Sequence, residues 1–179
     1  MANDQIGALQ RMALCSALSA AELETIAAIV EKRDVAAGKE LFREGEPGDG
    51  LYLLVAGEIN VVKHGKDGEH LLAKLGPGAV LGEMSLITAD ARSATGRALA
   101  QSTVLRLPAA EFRALLESGS VAALKIATAI AGVLARRLAT MNGLVLGLAS
   151  RPDASATAST GLNTQDLREL HRTMQVWSF

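Results

Sequence analysis

The 179-residue chain holds one cysteine, four prolines and three histidines, and aromatic side chains make up only 3% of it. A lone Cys15 cannot close an internal disulfide, so the chain reads as built for a reducing compartment, with the cytoplasm as the expected location. Cys15 lies among apolar residues and is expected to be a small core side chain. His64, His70 and His171 are scattered and lack the paired spacing of a metal site, so no metal is expected. An excess of one charge is also missing. Eighteen Lys and Arg stand against 19 Asp and Glu, for a formal net charge of -1 with no basic block. Binding to DNA rests on phosphate neutralisation, and direct DNA binding is therefore not expected.

Long hydrophobic runs are absent as well. The most apolar stretch, 121–149, is interrupted by Lys125, Arg136 and Arg137, and it falls short of the roughly 20 uninterrupted apolar residues a bilayer span needs. The opening Met1-Ala2-Asn3-Asp4-Gln5 has no charged segment leading into an apolar one, so no export signal is expected. Ser85 lacks a Gly-x-Ser-x-Gly setting and an evident base, and the glycine-rich stretch 44–50 lacks the Gly-Lys-Ser/Thr ending of a triphosphate loop. No catalytic residue is assigned.

What is present is a chain 49% hydrophobic and 21% charged, enough for one domain with a real core. Ser19-Ala20-Ala21-Glu22 has capping-box spacing, and Leu23, Ile26, Ala27 and Val30 follow at helical intervals, which predicts N-terminal helices within 5–32. From 33 to 108 the pattern changes to short apolar runs separated by glycine, at 39–42, 51–55, 59–64, 69–75 and 103–107, which read as strands. Asp67-Gly68 is expected to close a hairpin, and Gly76-Pro77-Gly78 a second tight turn. Short strands at this spacing predict a mainly β chain: an antiparallel, jelly-roll-like β-roll (double-stranded β-helix), with helices again over 109–149.

In that last region Leu124, Ala127, Ala131, Leu134, Leu138, Met141, Val145 and Leu148 recur at steps of three and four, the seam spacing of two wound helices. A homodimer through 120–149 is one reading. The other is that the stripe packs on its own roll, and Gly132, Gly143 and Gly147 each weaken the helix by roughly 1 kcal/mol. Ile126, Ile130 and Val133 form a second apolar set able to cover the roll. Residues 150–163, rich in alanine, serine and threonine, read as a flexible linker, and 164–179 as a short amphipathic tail carrying Leu167, Leu170 and Met174 on one face.

The most telling stretch is Leu81-Gly82-Glu83-Met84-Ser85-Leu86, followed nine residues after Glu83 by Arg92-Ser93-Ala94-Thr95. A glycine lets backbone approach a ligand, a carboxylate accepts from vicinal hydroxyls, and an arginine fork holds a phosphate that amides also face. That combination suits a cyclic nucleotide. Glu83 is expected to take the ribose 2'-hydroxyl and Arg92 an equatorial phosphate oxygen. Gly82 permits close approach, the Met84 and Ser85 amides open a short helix toward the phosphate, and Ser93 and Ala94 add amides. The plainer alternative is that Arg92 only pairs with Glu83.

With Glu44-Gly45-Glu46-Pro47-Gly48-Asp49 leading into Tyr52 and Ala56-Gly57-Glu58, the chain over about 10–149 resembles the cyclic nucleotide-binding domain family, of the catabolite activator and protein kinase A regulatory type. Leu134-Ala135-Arg136-Arg137-Leu138 is similar to the activators' dimer helix. The resemblance implies a receptor rather than an enzyme, with cyclic AMP as ligand, cyclic GMP as an alternative, and an unspecified protein partner downstream. It also implies base contacts at Val61, Leu72 and Ala73. Met141 and Asn142 stand where the activators carry polar base contacts, and Asn142 is the one able to reach an amino group. Two rival classes remain: an interaction module with a degenerate pocket, and a small-molecule enzyme on a roll scaffold.

Overall fold

The expected capping box starts the second helix. In a computed structural model that describes residues 2–149, the Ser19 hydroxyl accepts from the Glu22 amide at 3.4 Å, and the Glu22 carboxylate accepts from the Ser19 amide at 2.7 Å. The linker 150–163 and tail 164–179 lie outside the described residues. Two helices, α1 (Ala2–Gln10) and α2 (Ala20–Ala27), open the chain. Helix α2 stops at Ala27, three residues before Val30, the last of its helically spaced apolar positions. After a short turn over 28–30, Glu31–Val35 form strand β1. Four of those five are charged and exposed, so no alternation marks them, and they are held in the sheet by pairing along 102–106.

Seven more strands follow: β2 (Glu40–Phe42), β3 (Gly50–Ala56), β4 (Ile59–Gly65), β5 (Gly68–Leu75), β6 (Val80–Leu81), β7 (Thr95–Ala98) and β8 (Ser102–Pro108). Helix α3 (Glu83–Thr88) sits between β6 and β7, and α4 (Ala109–Glu117) and α5 (Val121–Ala149) close the described chain. The strands form two four-stranded sheets in the orders β1-β8-β3-β6 and β2-β7-β4-β5, and every pairing is antiparallel. This is the jelly-roll-like arrangement the turn spacing predicted. The β4-β5 hairpin closes with Gly65 opposite Gly68, and Ala79 donates to the Gly76 carbonyl across the second turn. Strands β6 and β7 carried no sequence signal: one is two residues long and the other reads Thr-Gly-Arg-Ala.

Strand β3 is buried on both faces. Successive side chains of a strand point opposite ways, so Leu51 and Leu53 join the cluster made with the helices, whereas Tyr52 and Leu54 point into the roll. On the helix side Ile126 and Ile130 of α5 and Phe112 of α4 are at most 1% exposed, as the second apolar set of α5 predicted. Val133 joins them among the buried residues. Cys15 is buried there too, and burial pushes its thiol up to about 11. Among the described residues no single helix is long and apolar enough to cross a membrane.

Candidate functional site

The open end of the roll encloses a cavity of about 370 Å³, within the range of roughly 300 to 1,000 Å³ usual for small-molecule pockets. Val61 and Leu72 of the β4-β5 hairpin form one wall, and Gly82 through Ser85 form a second. Arg92, Ser93 and Ala94 form a third, and Leu134, Arg137, Leu138 and Met141 of α5 lie across the top. The lining is apolar except for the two arginines, Glu83 and the serines.

Arg92 is the centre of the site. Its side chain is 1% exposed, with the guanidinium 4.5 Å from the Phe42 ring centre and 5.4 Å from that of Tyr52. Nη2 donates to Asp49 Oδ1 at 2.6 Å and to the Gly50 carbonyl at 2.8 Å, while Nη1 donates to the Gly82 carbonyl at 3.2 Å. Nε is buried and has no partner among the described residues. A buried donor left unmade costs about 1 to 3 kcal/mol, so something is expected to satisfy it. The plainer alternative, a simple pairing of Arg92 with Glu83, is not what the structure shows. Arg92 pairs with Asp49, and Glu83, only 4% exposed, pairs through Oε1 with Nη1 of Arg137 from α5. The Glu83 charge is therefore compensated from α5.

Asp49 is shared. Besides Arg92 it accepts from the Tyr52 hydroxyl at 3.0 Å and from Arg106 Nε at 2.9 Å. Burial, the largest single influence, pushes its carboxyl up, but the bonds from Tyr52 and Arg92 and the charges of Arg106 and Arg92 together hold it below the usual range. Burial first, then the Asp49 charge, pushes the Tyr52 phenol up.

Backbone shape allows this packing. Gly82 caps α3 at φ 74°, and a Cβ there would lie 2.1 Å from Arg92 Nη1. Gly48 plays a similar part in the preceding loop, where a Cβ would meet that of Ser85 at 2.1 Å. The glycine of the motif is thus needed for the arginine as well as for any ligand.

Eight of the ten other expected contacts border the cavity: Gly82, Glu83, Met84, Ser85, Ser93, Ala94, Val61 and Leu72. Ala73 and Asn142 do not. Leu72 is the extra residue of a bulge, since Val61 pairs with Ala73 and Val62 with Leu71, and a bulge re-aims its side chain. The short Ala73 is left with 0% exposure in the roll's apolar cluster. Asn142 is exposed on α5, and its neighbour Met141 lines the cavity instead. The Ser93 hydroxyl lies 3.8 Å from Met84 Sδ.

Asp49 and Arg137 are the functional side chains that sequence reading passed over. Asp49 stands in a turn-forming run, and Arg137 in an apolar helix, where it was noticed as an interruption and as part of the stretch resembling a dimer helix but given no site role.

Comparison with known proteins agrees with the geometry. Residues 32–119 match the family model described as cyclic nucleotide-binding domain, and the chain belongs to that family. A solved cyclic nucleotide-binding-like protein from Brucella abortus is 35% identical, with 64% of this chain and 98% of that one covered and a TM-score of 0.55. The catabolite activator protein of Thermus thermophilus is 33% identical, with 76% and 62% covered and a TM-score of 0.67. Longer relatives carry the similarity in one part: an NTE family protein of Mycobacterium tuberculosis is 34% identical over 112 residues, 62% of this chain but 18% of its own length. The chain thus spans less than a fifth of that curated relative.

Proposed function

We propose that the protein is a receptor for cyclic AMP, without catalysis of its own, that passes ligand binding on through α5. The carrying observation is the buried Arg92 guanidinium on the cavity wall with its Nε–H unspent. A ring-closed phosphodiester would complete that donor set, and charge-assisted bonds of this kind are about twice as strong as neutral ones. Glu83 keeps Oε2 for a ribose hydroxyl while Oε1 is held by Arg137.

The choice of base follows from what surrounds it. Val61, Leu72, Leu134, Leu138 and Met141 offer no hydrogen bond. Guanine carries a carbonyl, a ring N–H and an amino group that would all be stripped of water there without replacement, whereas adenine loses less. Preference for cyclic AMP over cyclic GMP then comes from desolvation rather than from a reading side chain.

Transmission rests on α5 contributing to the cavity through Leu134, Leu138 and Met141 and to the sugar acid through Arg137. A ligand shifts the position of α5 only by its differential affinity for the two positions. A partner protein in the cytoplasm reads that change. Homodimerisation through α5 is supported by the exposure of Leu124 and Leu138, at 51% and 62%, along the expected seam.

Calorimetry with cyclic AMP and cyclic GMP tests the reading. Binding is expected for the unaltered protein, with cyclic AMP the tighter, and Arg92→Ala is expected to cost on the order of 2 to 5 kcal/mol of affinity. Absence of binding by the unaltered protein at micromolar concentrations would favour the interaction-module alternative. Hydrogen exchange along α5 with and without nucleotide checks the transmission.

A further inference from the structure

The residues that hold the backbone of the phosphate loop lie outside the cavity. Lys63, on the outward side of β4, donates through Nζ to the Ser93 carbonyl at 2.7 Å and pairs with Glu44 Oε1 at 2.9 Å. Glu44 is itself fixed twice: Oε2 accepts from the His64 amide at 3.0 Å, and its own amide donates to Thr95 Oγ1 at 3.0 Å. Next to it, Gly45 donates to the Arg92 carbonyl at 2.9 Å and the Arg92 amide donates to the Glu46 carbonyl at 2.8 Å. The segment 44–46 and Lys63 therefore hold 92–95 from behind.

A trans peptide is planar, with its C=O and N–H pointing opposite ways. The Ser93 carbonyl and the Ala94 N–H belong to one such plane. A carbonyl drawn outward by a lysine that is half exposed turns the attached N–H inward, and Ala94, 7% exposed, lines the cavity. Among the described residues Lys63 alone holds that plane from the carbonyl side.

We infer that Lys63 is a positioning residue for anion binding: by holding the Ser93 carbonyl it aims the Ala94 amide at the phosphate, without touching the ligand. Glu44 keeps Lys63 in place for this. As a surface ion pair the Lys63–Glu44 contact would contribute little to stability. Its effect falls on the orientation of one donor. The inference rests on the reading of the cavity as a cyclic nucleotide site.

The test compares the full chain with Lys63→Met, Lys63→Arg and Glu44→Gln, using calorimetry with cyclic AMP, its two phosphorothioate diastereomers and thermal unfolding. Lys63→Met is expected to weaken cyclic AMP binding roughly tenfold, the size of one compromised hydrogen bond to a charged group. It is also expected to change the affinity ratio between the two phosphorothioates, because one phosphate oxygen loses its aimed donor while the unfolding midpoint holds. Lys63→Arg, which retains a donor, is expected to restore both quantities most of the way, and Glu44→Gln to give a smaller loss of the same kind. Unaltered binding and an unaltered diastereomer ratio in Lys63→Met would overturn the inference while leaving the nucleotide reading intact. A loss that Lys63→Arg does not relieve would overturn it too. If the unaltered chain binds no cyclic nucleotide, the reading of the cavity fails and takes this inference with it.

Discussion

The two faces of strand β3 look onto opposite kinds of interior. Leu51 and Leu53 face a cluster closed by α1, α2, α4 and α5, in which 20 buried apolar side chains meet among the described residues. Tyr52 and Leu54 face a cluster half that size, with ten buried residues, and beside it lie Arg92, Glu83 and an open cavity. The first arrangement is what stability asks for, since each fully buried Leu or Ile side chain contributes roughly 1.5 to 3 kcal/mol. The second gives up packing to hold two buried charges and a space. A single strand thus joins the part of the domain that keeps it folded to the part that binds. Helix α5 does the same along its length, with Ile126 and Ile130 in the closed cluster and Leu134, Leu138 and Met141 over the cavity.

Separating the two faces by substitution sharpens this contrast. The largest effect is expected at the closed face: Ile130→Ala, at 0% exposure, should lower unfolding stability by about 2 to 5 kcal/mol in urea titrations and leave the affinity of the folded fraction unchanged. An equal loss of affinity would erase the distinction.

At the binding face, Gly82→Ala should act on the ligand site first. The new Cβ would meet Arg92 Nη1, and an L side chain at φ 74° carries a backbone cost of about 1 to 2 kcal/mol. Nucleotide affinity, read by calorimetry, is expected to fall by at least tenfold, with a smaller drop in stability.

Acid should reach the binding face through Asp49. Its carboxyl is held below the usual range in the folded chain, so the stabilisation it provides is present above the ordinary aspartate value of roughly pH 4 and is lost as pH falls through the lowered folded value. Urea midpoints measured from neutral to acidic pH should show that loss, and Asp49→Asn should flatten it.

The smallest effect belongs to Cys15 on the closed face. Its thiol titrates near 11, above the ordinary value, so the neutral form stabilises the fold below the unfolded thiol's value and that contribution fades as pH rises toward 11. Alkylation at mildly alkaline pH is expected to be slow until denaturant is added, and rapid labelling of the folded chain would show that the closed face opens.

The antiparallel roll and most of the site were legible before any coordinates because their signals are local. Turn glycines punctuated the strands, Ser19 and Glu22 announced a helix start, and the pattern from Gly82 to Arg92 marked residues that meet around one cavity. Strand β1 was missed because four charged residues acquire strand geometry only from the partner beside them. The place of Ala73 was misjudged because one bulge decides which hairpin residue meets the cavity, and that of Asn142 because helix rotation sets whether it or Met141 looks inward. The ion pairs were out of reach for a related reason: Asp49 is 43 residues from Arg92, and Glu83 is 54 from Arg137.

By itself the sequence determined the periodicities, and through them most of the order of helices and strands, the residues that come together around the cavity, and the near balance of positive and negative charge. Those properties depend on neighbours within a few positions, where spacing alone fixes which side chains share a face. Only the tertiary structure decided how the charges pair, leaving Arg92 held by Asp49 with its Nε unpartnered among the described residues, and Glu83 held by α5. Such pairing depends on distances in space between residues far apart along the chain, and the folding of the two sheets sets those distances.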